Sequence, residues 1–133
     1  MVHSIRYAVC GELIVMRHHD SKRKLRREKR QRSALMHNLS RSLVLHGQIV
    51  TTVAKAKELR PYIERLVSAS RHPTVASRRN ILMRIGSPDA VKKLHDEIAK
   101  RYEKRNGGYT RIIRLGRVGK RTGEQVRLEF VQQ

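Results

Sequence analysis

Residues 49–67 read IVTTVAKAKELRPYIERLV, and their change of period decides the fold class. The first five, Ile49 to Val53, are β-branched throughout and read as a short strand. From about Ala54 the apolar positions change spacing. Ala56, Leu59, Ile63, Leu66 and Val67 recur three and four apart, as on one face of a helix. Pro61 conflicts with that helix, because an interior proline loses a hydrogen bond and clashes one turn back. Either one helix kinks there or the helix proper starts near Pro61; the single kinked helix is the expectation.

Upstream, Leu35, Leu39 and Leu43 recur every four residues with Met36 and Val44 beside them. This predicts a helix capped by Ser33, running to His46 and stopped by Gly47. Downstream, His72-Pro73 breaks the chain and a third helix is expected over about Thr74 to Ile85, with Val75, Ile81, Leu82 and Ile85 as its apolar members. Ser87-Pro88 is a restart signal, a cap followed by proline at the first helical position. Val91, Leu94, Ile98 and Tyr102 then share a face, and Asn106-Gly107-Gly108 is the expected stop. Tyr109 to Leu115 is a strand with imperfect alternation. Val126, Leu128 and Phe130 alternate cleanly with Arg127 and Glu129. The glycine-rich, basic link between them suggests an antiparallel hairpin. The expected architecture is α+β: about four helices packed on a small sheet of about three strands, with a basic N-terminal arm.

Three segments divide the chain. Residues 1–15 are nearly uncharged and form an extension. Residues 16–32 form the arm. Residues 33–133 form one α+β domain. From Arg17 to Arg32 the arm carries Arg17, Lys22, Arg23, Lys24, Arg26, Arg27, Lys29, Arg30 and Arg32 against Asp20 and Glu28. Such a run has no apolar face to bury and is expected to be disordered alone, ordering on a polyanion.

The whole chain shares the bias: 31 Lys and Arg against 11 Asp and Glu give a formal charge of +20 over 133 residues. Nucleic acid relieves that self-repulsion by exchanging its counterions for Lys and Arg. An acidic membrane would call for an apolar helix face rich in Trp and Phe, but there is no Trp and one Phe, Phe130. No stretch reaches the length of a membrane span, and residues 1–15 do not read as a signal peptide. Few aromatics, 4% of the chain, argue against a broad stacking platform, so contacts to phosphate and sugar are expected. Beyond the arm, the candidate contacts are Lys55, Lys57, Arg78, Arg79, Arg105, Arg111, Arg114, Arg117, Lys120 and Arg121. No acidic residue interrupts Asn106 to Gly123.

Catalysis has no matching constellation. Cys10 and the serines lack a nucleophile elbow or a paired base. Gly119-Lys120 lacks the phosphate-loop spacing, and Asn106-Gly107-Gly108 is no dinucleotide fingerprint. The one cysteine cannot build a disulfide or a cysteine-rich zinc site, and the seven His lack metal spacing. No cofactor, metal or small-molecule substrate is expected. A DNA-compacting or regulatory protein is the competing class, but the Ser33–His46 helix offers few base-reading side chains. An RNA-processing enzyme would need a carboxylate cluster or a His pair.

Three ordered motifs carry a resemblance: Met16-Arg17-His18 with Arg23-Lys24-Leu25 and Arg27; Ile49-x-Thr51-Thr52-x-x-Lys55-Ala56-Lys57-Glu58-Leu59-Arg60; and Gly107-Gly108-Tyr109-Thr110-Arg111-Ile112. Together they resemble the seventeenth protein of the bacterial large ribosomal subunit and its mitochondrial relatives, from Met16 to about Val131. The resemblance implies an α+β structural protein of the cytoplasmic ribosome, without catalysis, contacting large-subunit rRNA and neighbouring ribosomal proteins on the solvent side toward the peptide exit. It implies RNA contacts by Arg17, His18, Arg23, Lys24, Arg27, Lys55, Lys57, Tyr109 and Arg111. Residues 1–15 precede the family's usual start: they are either a real extension or an upstream start wrongly chosen, and the wrong start, with Met16 first in the native chain, is the expectation. Asp20 and Glu28 depart from the pattern, and each should oppose a phosphate contact nearby.

Overall fold

The computed structural model describes residues 23–117 and 123–132. Its elements, in chain order, are α1 (Lys29–His46), β1 (Gln48–Thr52), α2 (Val53–Ser70), α3 (Val75–Ile85), a composite fourth helix, β2 (Thr110–Gly116) and β3 (Gln125–Phe130). The fourth helix is α4 (Pro88–Lys93), a π-helical turn (Leu94–Ile98) and a last α-helical turn, α5 (Ala99–Arg101). Among the described residues this is the expected α+β arrangement of four helices and three strands. The extension, and the arm as far as Lys22, lie outside the described residues.

The sheet is antiparallel throughout, in the order β1-β3-β2. The last strand therefore inserts beside the first, and each face of it is set by alternation. Val126, Leu128 and Phe130 point inward and are buried, while Arg127 and Glu129 are half-buried on the other face. Ile49 and Ile112 flank Leu128 in register, making an apolar row across all three strands. The imperfect alternation of β2 has a local cause. The register shifts between Arg114 and Gly116, so Leu115 is an extra residue, and Gly116 supplies the positive φ of 78° that such a bulge favours. The β2–β3 pairing is the expected hairpin; residues 118–122 of its connection lie outside the described residues.

Helix α2 lies against all three strands and is surrounded by α1, α3 and the fourth helix. Ala56, Leu59, Ile63, Leu66 and Val67, the predicted stripe, are all buried. One helix runs through Pro61, starting at Val53, so the alternative start at Pro61 is not adopted. Rings close the core at the sheet's far end. Tyr102 and Tyr109 stack at a tilt with centroids 5.1 Å apart, and Phe130 lies 6.4 Å from Tyr102. The Tyr102 hydroxyl donates to the Val131 carbonyl, and burial raises its pKa above the usual phenol value.

Four expectations need correction. Helix α1 starts at Lys29, four residues before Ser33, and the Ser33 hydroxyl donates back to the Lys29 carbonyl within the helix. Lys and Arg are good helix formers, and their charge does not stop a helix whose later turns are anchored. Its buried stripe is rotated, with Met36, Ser40, Leu43 and Val44 innermost and Leu35 and Leu39 half-buried. In α3, Val75 and Leu82 are exposed (67% and 42%), leaving Ile81 and Ile85 in the core. The fourth helix ends at Arg101, with Tyr102 as its cap, before Asn106. Its π turn, in which the Ala99 N–H donates to the Leu94 carbonyl, accommodates one extra residue and brings His95 into the core with Leu94 and Ile98.

Leu128→Ala should cost about 2–5 kcal/mol, because it empties the centre of the apolar row. Urea unfolding at fixed salt measures this; an unchanged midpoint would show that β3 is not the packing centre described.

Candidate nucleic-acid interface

The arm is fixed to the body before α1 begins. The Arg23 N–H donates to Glu58 Oε1 (3.2 Å), and the Arg23 guanidinium lies 3.8 Å from the same oxygen. Leu25 packs against the core, and the Arg27 N–H closes a turn onto the Lys24 carbonyl (3.1 Å). Both central residues of that turn, Leu25 and Arg26, have positive φ (54° and 51°). Left-handed backbone costs a non-glycine residue about 1–2 kcal/mol. The Leu25 contact and the Glu58 anchor offset that cost. The turn holds Lys24, Arg26 and Arg27 exposed at the root of the arm. The expectation of disorder up to Arg32 is corrected to this extent.

Between this turn, α1, α2 and the end of α3 runs a groove of about 620 Å³. Among the described residues its cations are Arg23, Arg32, Lys57, Arg65 and Arg84, with Glu58 the one carboxylate, His37 beside them, and Met36, Pro61 and Tyr62 the apolar lining. Two of the arginines are aimed by a hydrogen bond at Nε and a third by an ion pair. Arg23 faces Glu58, Arg65 donates to the Pro61 carbonyl (3.0 Å), and Arg84 donates to Asn80 Oδ1 (3.0 Å). The Tyr62 hydroxyl donates to the Arg84 carbonyl (3.0 Å). Burial raises its pKa, against the pull of Arg84 and Arg65, so it stays a neutral donor.

Of this set, Arg23 and Lys57 were expected contacts from the sequence, and Arg32 was counted in the basic arm. Arg65 and Arg84 were missed because each sits among helical positions, where a lone cation reads as a solvated charge. Their convergence is a product of packing. Lys24, Arg26, Arg27, Arg32, Lys57 and Arg65 have no carboxylate partner among the described residues, in contrast to Arg60, which pairs with Glu64.

The other expected residues lie elsewhere. Arg78 and Arg79 border a separate cleft of about 480 Å³ between α3 and α4, where Asp89, Asp96 and exposed apolar side chains join them. Arg111 and Arg114 project from β2 and pair with Glu129 (2.6 Å) and Glu124 (3.7 Å). Arg111 also borders a hollow with His46 and Arg101 at the sheet edge. Arg117 is exposed and Lys55 half-buried. Arg17, His18, Lys22, Lys120 and Arg121 lie outside the described residues.

Tyr109 is a correction. Its side chain is 1% exposed, and its hydroxyl donates to the Arg105 carbonyl (3.1 Å) and lies 3.3 Å from Ser68 Oγ. An aromatic this enclosed is a support for the loop rather than a surface for RNA. Half-buried Arg105 folds onto the same loop, donating to the Gly107 carbonyl. Arg71, at the end of α2, completes the support. Its Nη2 donates to the Glu103 carbonyl (2.7 Å), and its Nη1 to the Arg105 carbonyl and Asn106 Oδ1 (both 3.1 Å). No pattern around Arg71 in the sequence distinguishes it from the surface cations.

The described residues contain no group of His, Cys, Asp or Glu suited to a metal, and no helix among them is long and apolar enough to cross a membrane. The geometry offers spaced, aimed cations and an apolar-lined groove. That arrangement is chemically suited to a polyanion.

Residues 35–131 match the family described as ribosomal protein L17. The chain belongs to that family. It is 50% identical over 101 residues to a large ribosomal subunit protein bL17 of Sphingopyxis alaskensis, covering 76% of this chain and 73% of the relative. It is 46% identical over 117 residues to the bL17 of Agrobacterium fabrum, covering 88% and 81%. It is 43% identical over 119 residues to the bL17 of a Sulfurihydrogenibium species, covering 88% and 98%. The L17 family is one of structural ribosomal proteins rather than enzymes.

Arg71→Met keeps the side-chain length and removes the donated bonds. Amide exchange over residues 106–110 should quicken as the local opening free energy falls by about 1–3 kcal/mol. Exchange in α1 should stay as slow as before. Unchanged protection of the loop would mean Arg71 does not hold it.

Proposed function

We propose that this chain is a structural constituent of the large ribosomal subunit that binds large-subunit rRNA through phosphate and shape contacts, supporting subunit assembly and translation. The observation that carries the reading is the convergence of cations from the arm root, α1, α2 and α3 on one groove whose lining contains a single carboxylate. Family membership supports the ribosomal setting. Neighbouring large-subunit proteins are the further partners, and a position toward the peptide exit side in the bacterial cytoplasmic ribosome follows the resemblance drawn from the three sequence motifs.

The physical case rests on counterion release. Each phosphate neutralised by Lys or Arg steepens the fall of log affinity with log salt by about 0.7–0.9. Arg adds a planar fork that grips phosphate at two oxygens. The arm acts ahead of the body: residues up to Arg27 follow the RNA backbone, while the folded domain presents Lys57, Arg65 and Arg84 on rigid helices. Arg111, Arg114 and Arg117 extend the contact along β2 toward Lys120 and Arg121.

Changing Arg23→Glu, Lys24→Glu and Arg27→Glu together should weaken rRNA binding and incorporation into the subunit at moderate salt, with the urea midpoint of the body retained. Both are read by filter binding and by the stoichiometry of the protein in purified particles. Incorporation equal to that of the unaltered chain would remove the arm from this account.

A further inference from the structure

A phosphate backbone alone does not explain the groove beside the arm root. Its cations would suffice on a convex surface, where an A-form duplex presents its phosphates. Instead they surround a recess of about 620 Å³ lined also by Met36, Pro61 and Tyr62. That volume falls within the range of about 300–1,000 Å³ typical of small-molecule sites. A phosphate would leave the apolar lining exposed, and a duplex is too wide to enter. A base that has left its stack fits both halves of the site. Unstacked bases are the usual targets of proteins that recognise RNA locally, and they settle on aromatic faces and guanidinium planes.

We propose that this groove holds one unstacked nucleotide of the bound RNA. Its phosphate lies among Arg23, Arg32 and Lys57, and its base rests against the Pro61–Tyr62 surface of α2 beside Arg65 and Arg84. The proposal rests on the rRNA-binding reading above and deepens it. Three features favour it over an acidic peptide as occupant. The cations outnumber the single carboxylate, Glu58, which is already engaged by Arg23. The forks of Arg65 and Arg84 are held at Nε by Pro61 and Asn80, while no Nη of either donates to another described residue. The Tyr62 ring is held by its hydroxyl bond to the Arg84 carbonyl, so little side-chain freedom is lost on binding.

The site is tested in the full chain. Subunits carrying the protein are irradiated with short-wavelength ultraviolet light, digested with trypsin and analysed by mass spectrometry. The expected product is a single-nucleotide adduct on the peptide Glu58–Arg65, since the Arg60–Pro61 bond resists trypsin. In parallel, rRNA binding is titrated against salt. Tyr62→Leu should weaken binding about tenfold, through lost stacking, with the salt slope unchanged. Tyr62→Phe, which keeps the ring and loses only its anchoring hydroxyl bond, should bind more tightly than Tyr62→Leu. Lys57→Gln should reduce the slope by about 0.7–0.9, the signature of one lost phosphate contact. Urea midpoints of all three variants establish that they are folded.

Adducts confined to other peptides would overturn the proposal, as would unaltered binding by a folded Tyr62→Leu variant, while the rRNA-binding reading stands. Failure of the unaltered chain to bind rRNA at all would instead overturn the reading on which the proposal rests.

Discussion

The row Ile49–Leu128–Ile112, which ties the three strands to one another and to α2, is the contact on which the rest of the structure depends. β3 is the last element of the chain, yet it occupies the middle of the sheet. Until it inserts, β1 and β2 have no common partner, and α2 has no sheet to cover. Pairing is therefore long-range. The free energy that holds it comes from burying Leu128 and its neighbours against the α2 stripe, at roughly 25 cal/mol per Å² of apolar surface. The rings of Tyr102, Tyr109 and Phe130 close the same core at its end, and Arg71 fastens the loop that leads from them into β2.

This core lets a strongly charged chain have a folded body. Self-repulsion of Lys and Arg works against compactness, and the fold answers it by setting the cations around a core of aliphatic side chains and rings. The surface charge is then held in fixed positions rather than scattered on a flexible polymer. Where helices from different parts of the sequence meet, at the arm root, fixed cations become neighbours. In the proposed complex, counterions condensed between them are released when RNA replaces them. The same repulsion that lowers the stability of the free protein thus favours the complex.

How far the sequence disclosed this differs by element. The core stripe of α2 and the alternation of β3 were legible because burial on one face imposes a period on the residues themselves. The family motifs were legible because their residues stand at fixed spacing. The start of α1 was not, because charge in the first turn reads as arm while the helix is anchored further on, at Met36 and Leu43. The exposure of Val75 and Leu82 was hidden too. An apolar residue on a helix signals a core face only if another element comes to cover it. Tyr109 was read as an RNA contact from its motif, and its burial depends on where Arg105, Ser68 and Tyr102 end up. The groove's Arg32, Arg65 and Arg84 are 19 to 52 positions apart in sequence, so only the packing of α1, α2 and α3 joins them.

The central claim is that this body and its arm are built to sit stoichiometrically on large-subunit RNA. Sedimentation of a native lysate at moderate and at high salt, with the protein followed by quantitative mass spectrometry, tests it most directly. The account predicts one copy per large subunit, retained through the high-salt wash because the folded groove and the arm act together. Migration with free protein or with bulk DNA at moderate salt would contradict it.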